Sequence, residues 1–311
     1  MKTLVTGSSG HLGEGLLRVM KERDLDAVGL DCRPGPFTDV VGDIRDKSLV
    51  AKVLADCQAI IHTATLQKPH VETHSKQDFI DVNLSGTLTL LEQAVEKGDI
   101  EAFVYTSTTS TFGRTLTKSM WINEDSPCIP KNIYGVTKRA TEDLCELFHY
   151  EHGLPVIILK TSRFFFEDDD TEKNRLEFPL PQNLKVNELV HRRLDIADAV
   201  EAHLLAVDRA RELKFGRYIL SSTPPFTEDD AWQVNPGKVL NERIPFEDEY
   251  DRRGWKFYSS LDRIYDNSRA RNALGWEPKY TFEHAADRLK NGDEPFSDLM
   301  REVGYKGYHG S

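Results

Sequence analysis

No apolar run in this chain approaches the ~20 residues that cross a bilayer as a helix, so a membrane-spanning helix is not expected. The opening MKTLVTGSSG lacks an apolar stretch between a basic head and a cleavage site, so it is not read as a signal peptide. Cysteine is scarce. Cys32, Cys57, Cys128 and Cys145 are widely spaced with no C-x-x-C, which fits reduced thiols in a cytoplasmic protein better than a disulfide frame or a metal site. The ten histidines contain no H-E-x-x-H. His70 and His74 stand four apart without an evident third ligand, so no metal is expected. Net positive charge is missing as well. A formal charge of −11 argues against nucleic acid and against an anionic membrane surface. Repeats and low-complexity segments are absent. What remains is 311 residues, 39% of them apolar, enough for one large domain or two modest ones sharing a cleft for a small molecule.

The N-terminus has the strongest local pattern. Residues 2–6 read as a short strand, followed by Gly7-Ser8-Ser9-Gly10-His11-Leu12-Gly13 and an amphipathic helix carrying Leu16, Leu17, Val19 and Met20. A second strand at 26–31 ends in Asp31, eighteen residues beyond Gly13. Gly7 permits the tight turn, Gly10 lets the backbone approach a pyrophosphate at the helix N-terminus, and Gly13 lets helix and strand pack closely. The segment predicts a dinucleotide site built from Gly7, Ser9, Gly10, His11, Leu12, Gly13 and Asp31-Cys32-Arg33. A carboxylate at 31 accepts both ribose hydroxyls and repels a 2′-phosphate, which favours NAD over NADP. Arg33 is the feature that would hold a phosphate instead. Asp43 and Ile44 end a third strand, where they suit the adenine edge and face, or Asp43 caps the following helix.

Strands and helices keep alternating: Ala59–His62 running into Thr63-Ala64-Thr65, a long helix over 77–97 carrying Asn83, and Ala102–Tyr105 ending in the hydroxyl-rich run Thr106–Thr111. A helix over 134–152 and a strand over 156–159 follow, then a helix over 194–211 and a strand over 217–220. Such alternation predicts an α/β, Rossmann-type doubly wound parallel sheet with ligands at the strand C-terminal ends. Tyr134 and Lys138 lie one turn apart on one helix face. A phenol titrates near ~10. An ammonium beside it is expected to lower that value and make it a usable acid/base.

These pieces together resemble the extended short-chain dehydrogenase/reductase family, the NAD-dependent epimerase/dehydratase group. The matching segments are T-G-S-S-G-H-L-G, Asp31, G-D-I, H-T-A-T, V-N-L-S-G-T, F-V-Y-T-S-T-T-S-T-F-G, Y-G-V-T-K, R-R-L-D-I-A-D-A-V and N-S-R-A-R-N-A-L-G-W-E-P, spread over nearly the whole length. The resemblance implies NAD as cofactor, Thr108 as the hydroxyl on the reacting oxygen, Tyr134 as acid/base and Lys138 on the nicotinamide ribose. It implies that Asn83 ties down its helix or a water relay, and that Thr63, Ala64, Thr65, Asn83 and Thr106 border the cofactor. A homodimer through the 77–97 and 134–152 helices is also implied.

The chain departs from sugar-nucleotide enzymes in three places. Leu159-Lys160-Thr161-Ser162-Arg163 replaces an L-R-x-x-N stretch, the span from Lys138 to Arg193 is short, and it contains Glu167-Asp168-Asp169-Asp170, read as a solvated acidic turn. Thr109 and Ser110 stand where a dehydratase would carry acids. The expected activity is therefore a dehydrogenase or reductase acting on a secondary alcohol of a compact, sugar-like substrate. The alternative is a sugar-nucleotide 4-epimerase that keeps NAD bound, and a third reading is a non-catalytic NAD sensor. Gln67, Lys68, His70, Thr109, Arg163, Phe164 and Arg192 are the candidate substrate contacts. Residues 1–161 with 194–221 are expected to form the nucleotide domain, and 162–193 with 222–311 a smaller, discontinuous substrate lobe.

Overall fold

The computed structural model describes residues 1–114, 120–167 and 172–307. The chain begins β1 (Thr3–Thr6), α1 (His11–Glu22), β2 (Ala27–Asp31), β3 (Val40–Val41), α2 (Lys47–Leu54) and β4 (Ala59–His62). After α3 (Lys76–Phe79) comes a π-helical turn (Ile80–Ser85), then α4 (Gly86–Lys97) and β5 (Ala102–Thr108). Next are β6 (Met120–Ile122), α5 (Ile133–His152), β7 (Val156–Thr161), α6 (Glu172–Glu177), α7 (Pro181–Glu188), α8 (Ile196–Leu213) and β8 (Phe215–Leu220). Seven parallel strands form one sheet in the order β3-β2-β1-β4-β5-β7-β8. β6 pairs with β9 (Arg263–Tyr265) in a small second sheet.

Period-two burial places the two faces of the large sheet in different cores. Val5, Ile61, Val104 and Ile157 face α1 and α8. Leu4, Ile60, Phe103 and Ile158 lie in a second cluster with Val50, Leu90 and Leu91. Both faces are covered, as a parallel sheet requires. A third apolar cluster holds Val186, Trp232, Tyr250 and Ile264. The late segments Ala270–Trp276 and Met300–Val303 join the cluster of α1 and α8.

Two elements differ from the sequence expectation. The 77–97 helix is interrupted by the π turn, which frees a carbonyl for side chains. The Asn83 carbonyl accepts from Thr87 Oγ1 at 2.7 Å and from Thr141 Oγ1 at 3.2 Å. β5 also runs three residues farther than expected, so Thr106, Ser107 and Thr108 are strand residues paired with Leu159, Lys160 and Thr161. A strand holds side chains in fixed alternation, which a loop does not.

Helix caps separate structural from ligand-facing termini. Asp46 caps α2 by accepting from the Ser48 and Leu49 N–H groups, and Asn132 caps α5 through the Gly135 N–H. Asp43 is therefore not the cap of α2. α1 starts at Gly10 with no side-chain cap, so its first N–H groups face the cleft. Among the described residues no helix is long and apolar enough to cross a membrane, and all four cysteines are free thiols.

Candidate active site

A cleft of about 690 Å3 runs along the C-terminal ends of the strands. Its first part is the glycine turn. Gly7 has φ +74°, and a Cβ there would stand 2.7 Å from both the Ala64 nitrogen and Thr63 Oγ1, so only glycine fits this close approach. Ser9, Gly10, His11 and Leu12 line the cleft beside Thr63, Ala64 and Thr65. Asp31 is pinned by main-chain donors: its Oδ2 accepts from the Ser9 N–H at 3.0 Å and its Oδ1 from the Arg33 N–H at 2.9 Å. Cys32, Arg33, Asp43 and Ile44 complete this end. Asp43 is held by Arg45, whose Nη2 donates at 2.5 Å. That bond, against the opposing effect of burial, keeps the Asp43 carboxyl below its usual range.

Two residues expected on the cofactor lie off the cleft lining. A Cβ on Gly13 would meet the Gly7 carbonyl oxygen at 2.0 Å, so Gly13 supports the turn from behind. Asn83 is buried. Its Oδ1 accepts from the Leu66 N–H at 2.7 Å, and its Nδ2 donates to the Leu66 carbonyl and to Thr137 Oγ1, both at 3.1 Å. It braces the loop after β4 against α5, and the π turn is what aims it there.

Thr108, Tyr134 and Lys138 meet in the middle of the cleft. Thr108 Oγ1 accepts from the Ser110 N–H at 3.1 Å, and Tyr134 lines the same part of the cleft. Lys138 Nζ donates to the Thr106 carbonyl at 2.7 Å and sits 4.7 Å from the centre of the Tyr105 ring. The Thr106 hydroxyl turns away to His203 Nε2 at 2.9 Å. The expected lowering of the tyrosine pKa is overturned. Burial pushes the phenol up to about 12, only partly opposed by the neighbouring Thr108 hydroxyl. Burial also brings the Lys138 ammonium down to about 7, opposed by Glu142. At neutral pH Tyr134 therefore starts as a proton donor.

The far end of the cleft gathers Gln67, Lys68, His70, Thr109, Arg163, Phe164 and Arg192. The short 310 turn Lys68–Glu72 places the first three, with the Gln67 N–H donating to His70 Nδ1 at 2.9 Å. Arg192 and Arg193 reach buried Glu188 at 3.0 and 2.8 Å, and Arg163 lies 3.9 Å from it. Despite burial, these three guanidiniums hold that carboxyl well below the usual range. Arg193 does not line the cleft, and Arg252 pairs with Glu249 away from it. Trp121 and Trp255 pack with the third apolar cluster.

Glu167 is not a solvated turn residue. It is buried, with Oε2 2.7 Å from His11 Nε2 and Oε1 accepting the Lys306 N–H at 2.7 Å. Asp168, Asp169 and Asp170 lie outside the described residues. Sequence reasoning missed Arg45, Lys131, Arg263, Tyr265 and Lys306, all in the lining. It also missed the buried pair Glu142–Lys160 behind it. A lone lysine in the apolar strand VIILKT is the signal that marks the pair. Lys306 carries no such signal. Among the described residues no group of histidine, cysteine and acidic side chains is placed to hold a metal.

The chain is 27% identical to the low-salt glycan biosynthesis protein Agl12 of Haloferax volcanii, with 91% of this chain and 95% of that protein covered. It is also 27% identical to a UDP-glucose 4-epimerase of Halalkalibacterium halodurans, covering 90% and 91%. Its fold superposes on the crystal structure of UDP-N-acetylglucosamine 4-epimerase from Bacillus cereus with a TM-score of 0.66 at 21% identity, covering 93% and 97%. A family model matches residues 3–220, and the chain belongs to the NAD dependent epimerase/dehydratase family.

Proposed function

We propose that this protein is an NAD-dependent sugar-nucleotide epimerase. The observation that carries the reading is one continuous cleft: glycine turn and Asp31 at one end, Thr108, Tyr134 and Lys138 at the centre, arginines 163, 192 and 263 at the other. A dinucleotide and a second anionic ligand fit end to end across the three hydroxyl and amine groups. This favours a sugar nucleotide over the free sugar-like alcohol of a dehydrogenase, and the epimerases among the relatives support the same choice. Thr109 and Ser110 supply no carboxylate beside Thr108, which speaks against dehydration.

The cradle suits NAD. Gly7 and Gly10 would take the pyrophosphate at the start of α1, Asp31 the adenosine ribose, and Lys138 the nicotinamide ribose. The cofactor, when bound, supplies the hydride acceptor and donor. Tyr134, once ionised, takes a proton from the sugar hydroxyl at its phenolate oxygen and, as the phenol, later returns it. Thr108 donates its hydroxyl hydrogen to the reacting oxygen. Lys138, protonated, favours the phenolate that accepts the proton. The buried site excludes competing water.

The test is to incubate the protein with UDP-glucose and UDP-galactose and follow both sugars by chromatography and reduced nicotinamide by absorbance. Interconversion without net reduction is expected. Net reduction with free sugars, and no interconversion, returns the reading to a dehydrogenase.

A pH dependence follows from Lys138. In the ligand-free protein its ammonium titrates at about 7. An anionic dinucleotide favours the charged form, so the complex holds the proton to higher pH. NAD affinity should be greatest below pH 7 and fall by up to about tenfold per pH unit above it. Calorimetric titration across pH 6–9 checks this, and Lys138→Met should flatten the profile.

We also infer a homodimer through α5 and α4. Val136, Leu147 and Tyr150 are exposed at helical spacing on α5, whereas Phe148 packs inward. Sedimentation should give a dimer that Leu147→Asp converts to monomer. A monomeric parent protein would refute it.

A further inference from the structure

Behind the reacting hydroxyls lies a buried ion pair that the proposed chemistry does not use. Lys160 Nζ is 2.6 Å from Glu142 Oε1 and 2.5 Å from Oε2. Ser107 Oγ donates to Glu142 Oε1 at 2.5 Å. All three side chains are within 1% of full burial. Glu142 lies on α5, one turn beyond Lys138 and two beyond Tyr134. Lys160 lies on β7 directly across from Ser107, and Thr161 Oγ1 donates to the Ser107 carbonyl at 2.9 Å. Lys160 also reaches Thr111 Oγ1 at 3.3 Å, in the turn that follows Thr108.

Removing two charges from water costs several kcal/mol per ion, and an apolar pair of the same volume is often as stable or more so. Stability alone therefore does not explain this pair. What it uniquely does is lock three elements together at the level of the reacting groups. β5 presents the Thr106 carbonyl to Lys138 and carries Thr108 into the cleft lining that Tyr134 shares, and the pair clamps β5 to α5 behind these groups.

We propose that Lys160, acting through Glu142 and Ser107, is a positioning residue for the acid/base site, holding β5 and the Tyr134–Lys138 turn in one geometry. The proposal rests on the reading that Tyr134, Thr108 and Lys138 move the proton. Other groups face the same site. Arg139 on α5 and Arg217 on β8 lie 3.8 and 3.9 Å from Glu142. Lys138 faces Tyr105 of β5, and the nearby ionisable groups His62 of β4 and Cys145 of its own helix also sense it.

The experiment removes both charges at once, as Glu142→Leu with Lys160→Met, so that no lone buried charge is left. Three quantities are read on the full chain: melting temperature, the pH profile of NAD affinity, and turnover of a UDP-sugar. We expect the melting temperature to hold, kcat to fall by about 10- to 100-fold at little changed KM, and the midpoint of the NAD profile to move to lower pH by about one unit. Lys160→Arg should retain most of the turnover. If the double variant does not fold, Ser107→Ala, which leaves the ion pair intact and cuts its bond to β5, should show the same fall in kcat. A folded variant whose NAD profile and kcat match the parent protein overturns the proposal. If the parent protein converts no sugar nucleotide, the functional reading fails, and the NAD profile still decides the positioning role.

Discussion

Tyr134→Phe should lower kcat by about 10²- to 10⁴-fold while leaving NAD affinity nearly unchanged. The substitution removes one oxygen and keeps the ring. The phenol is buried and titrates at about 12, so at neutral pH it holds its proton. Phenylalanine cannot accept the sugar proton or return it, and no other acid in the centre of the cleft replaces it. His62 is out of play, because burial keeps its ring neutral down to about 3 and it already meets Thr6 Oγ1 at 2.7 Å and Thr87 Oγ1 at 2.9 Å. Steady-state kinetics beside equilibrium NAD binding make the measurement. A protein that uses the site only to sense NAD would barely respond, and that outcome would sink the catalytic reading.

The second large effect is structural. Gly13→Ala should destabilise the protein by about 3 kcal/mol and weaken NAD binding by at least about tenfold (1.4 kcal/mol). A Cβ at position 13 would stand 2.0 Å from the Gly7 oxygen, 2.6 Å from its carbon and 2.9 Å from Ser8 Cα. These are main-chain atoms and cannot swing aside. The turn would have to move, yet Gly7 is already lodged against Thr63 and Ala64. The damage therefore passes into the cradle. Gly15, two residues along the same helix, is the control. Its added Cβ would approach the Val200 and Ile196 side chains, at 3.3 and 3.4 Å, and alanine is the better helix former by roughly 1 kcal/mol. Gly15→Ala should change stability by less than about 1 kcal/mol. Thermal unfolding and NAD titration of the two variants side by side check the contrast, and equal effects would refute it.

Much of the site was legible because its residues obey local rules. The glycine turn, Asp31 at the end of β2 and the Tyr134–Lys138 spacing each follow from what one strand or one helix turn can present. The same alternation of elements implied the parallel sheet. Other features depend on contacts that no local pattern encodes. The π turn at Ile80–Ser85 arises from tertiary bonding of Asn83 to Leu66 and Thr137, against ordinary helical propensity. The tyrosine pKa was misjudged because spacing reveals the neighbouring ammonium but not the depth of burial. The acidic run at 167 looked solvated, since its partner His11 lies far away in sequence. The preference for a dehydrogenase rested on the shortness of the 138–193 span, which says nothing of Arg263, a cleft-lining arginine from outside that span.

Lys306 ties its main-chain N–H to Glu167 and its ammonium to Glu14, while Met300 and Val303 pack in the core that contains Leu12 and Leu16. One wall of the cleft is thus completed by residues from opposite ends of the sequence. On the ribosome, the N-terminal strands and helices can pair as they emerge, but this wall cannot close until Lys306 has emerged as well. Closing so long a loop is entropically slow to begin. The sheet therefore assembles before this wall does, and NAD capture follows the early folding rather than templating it.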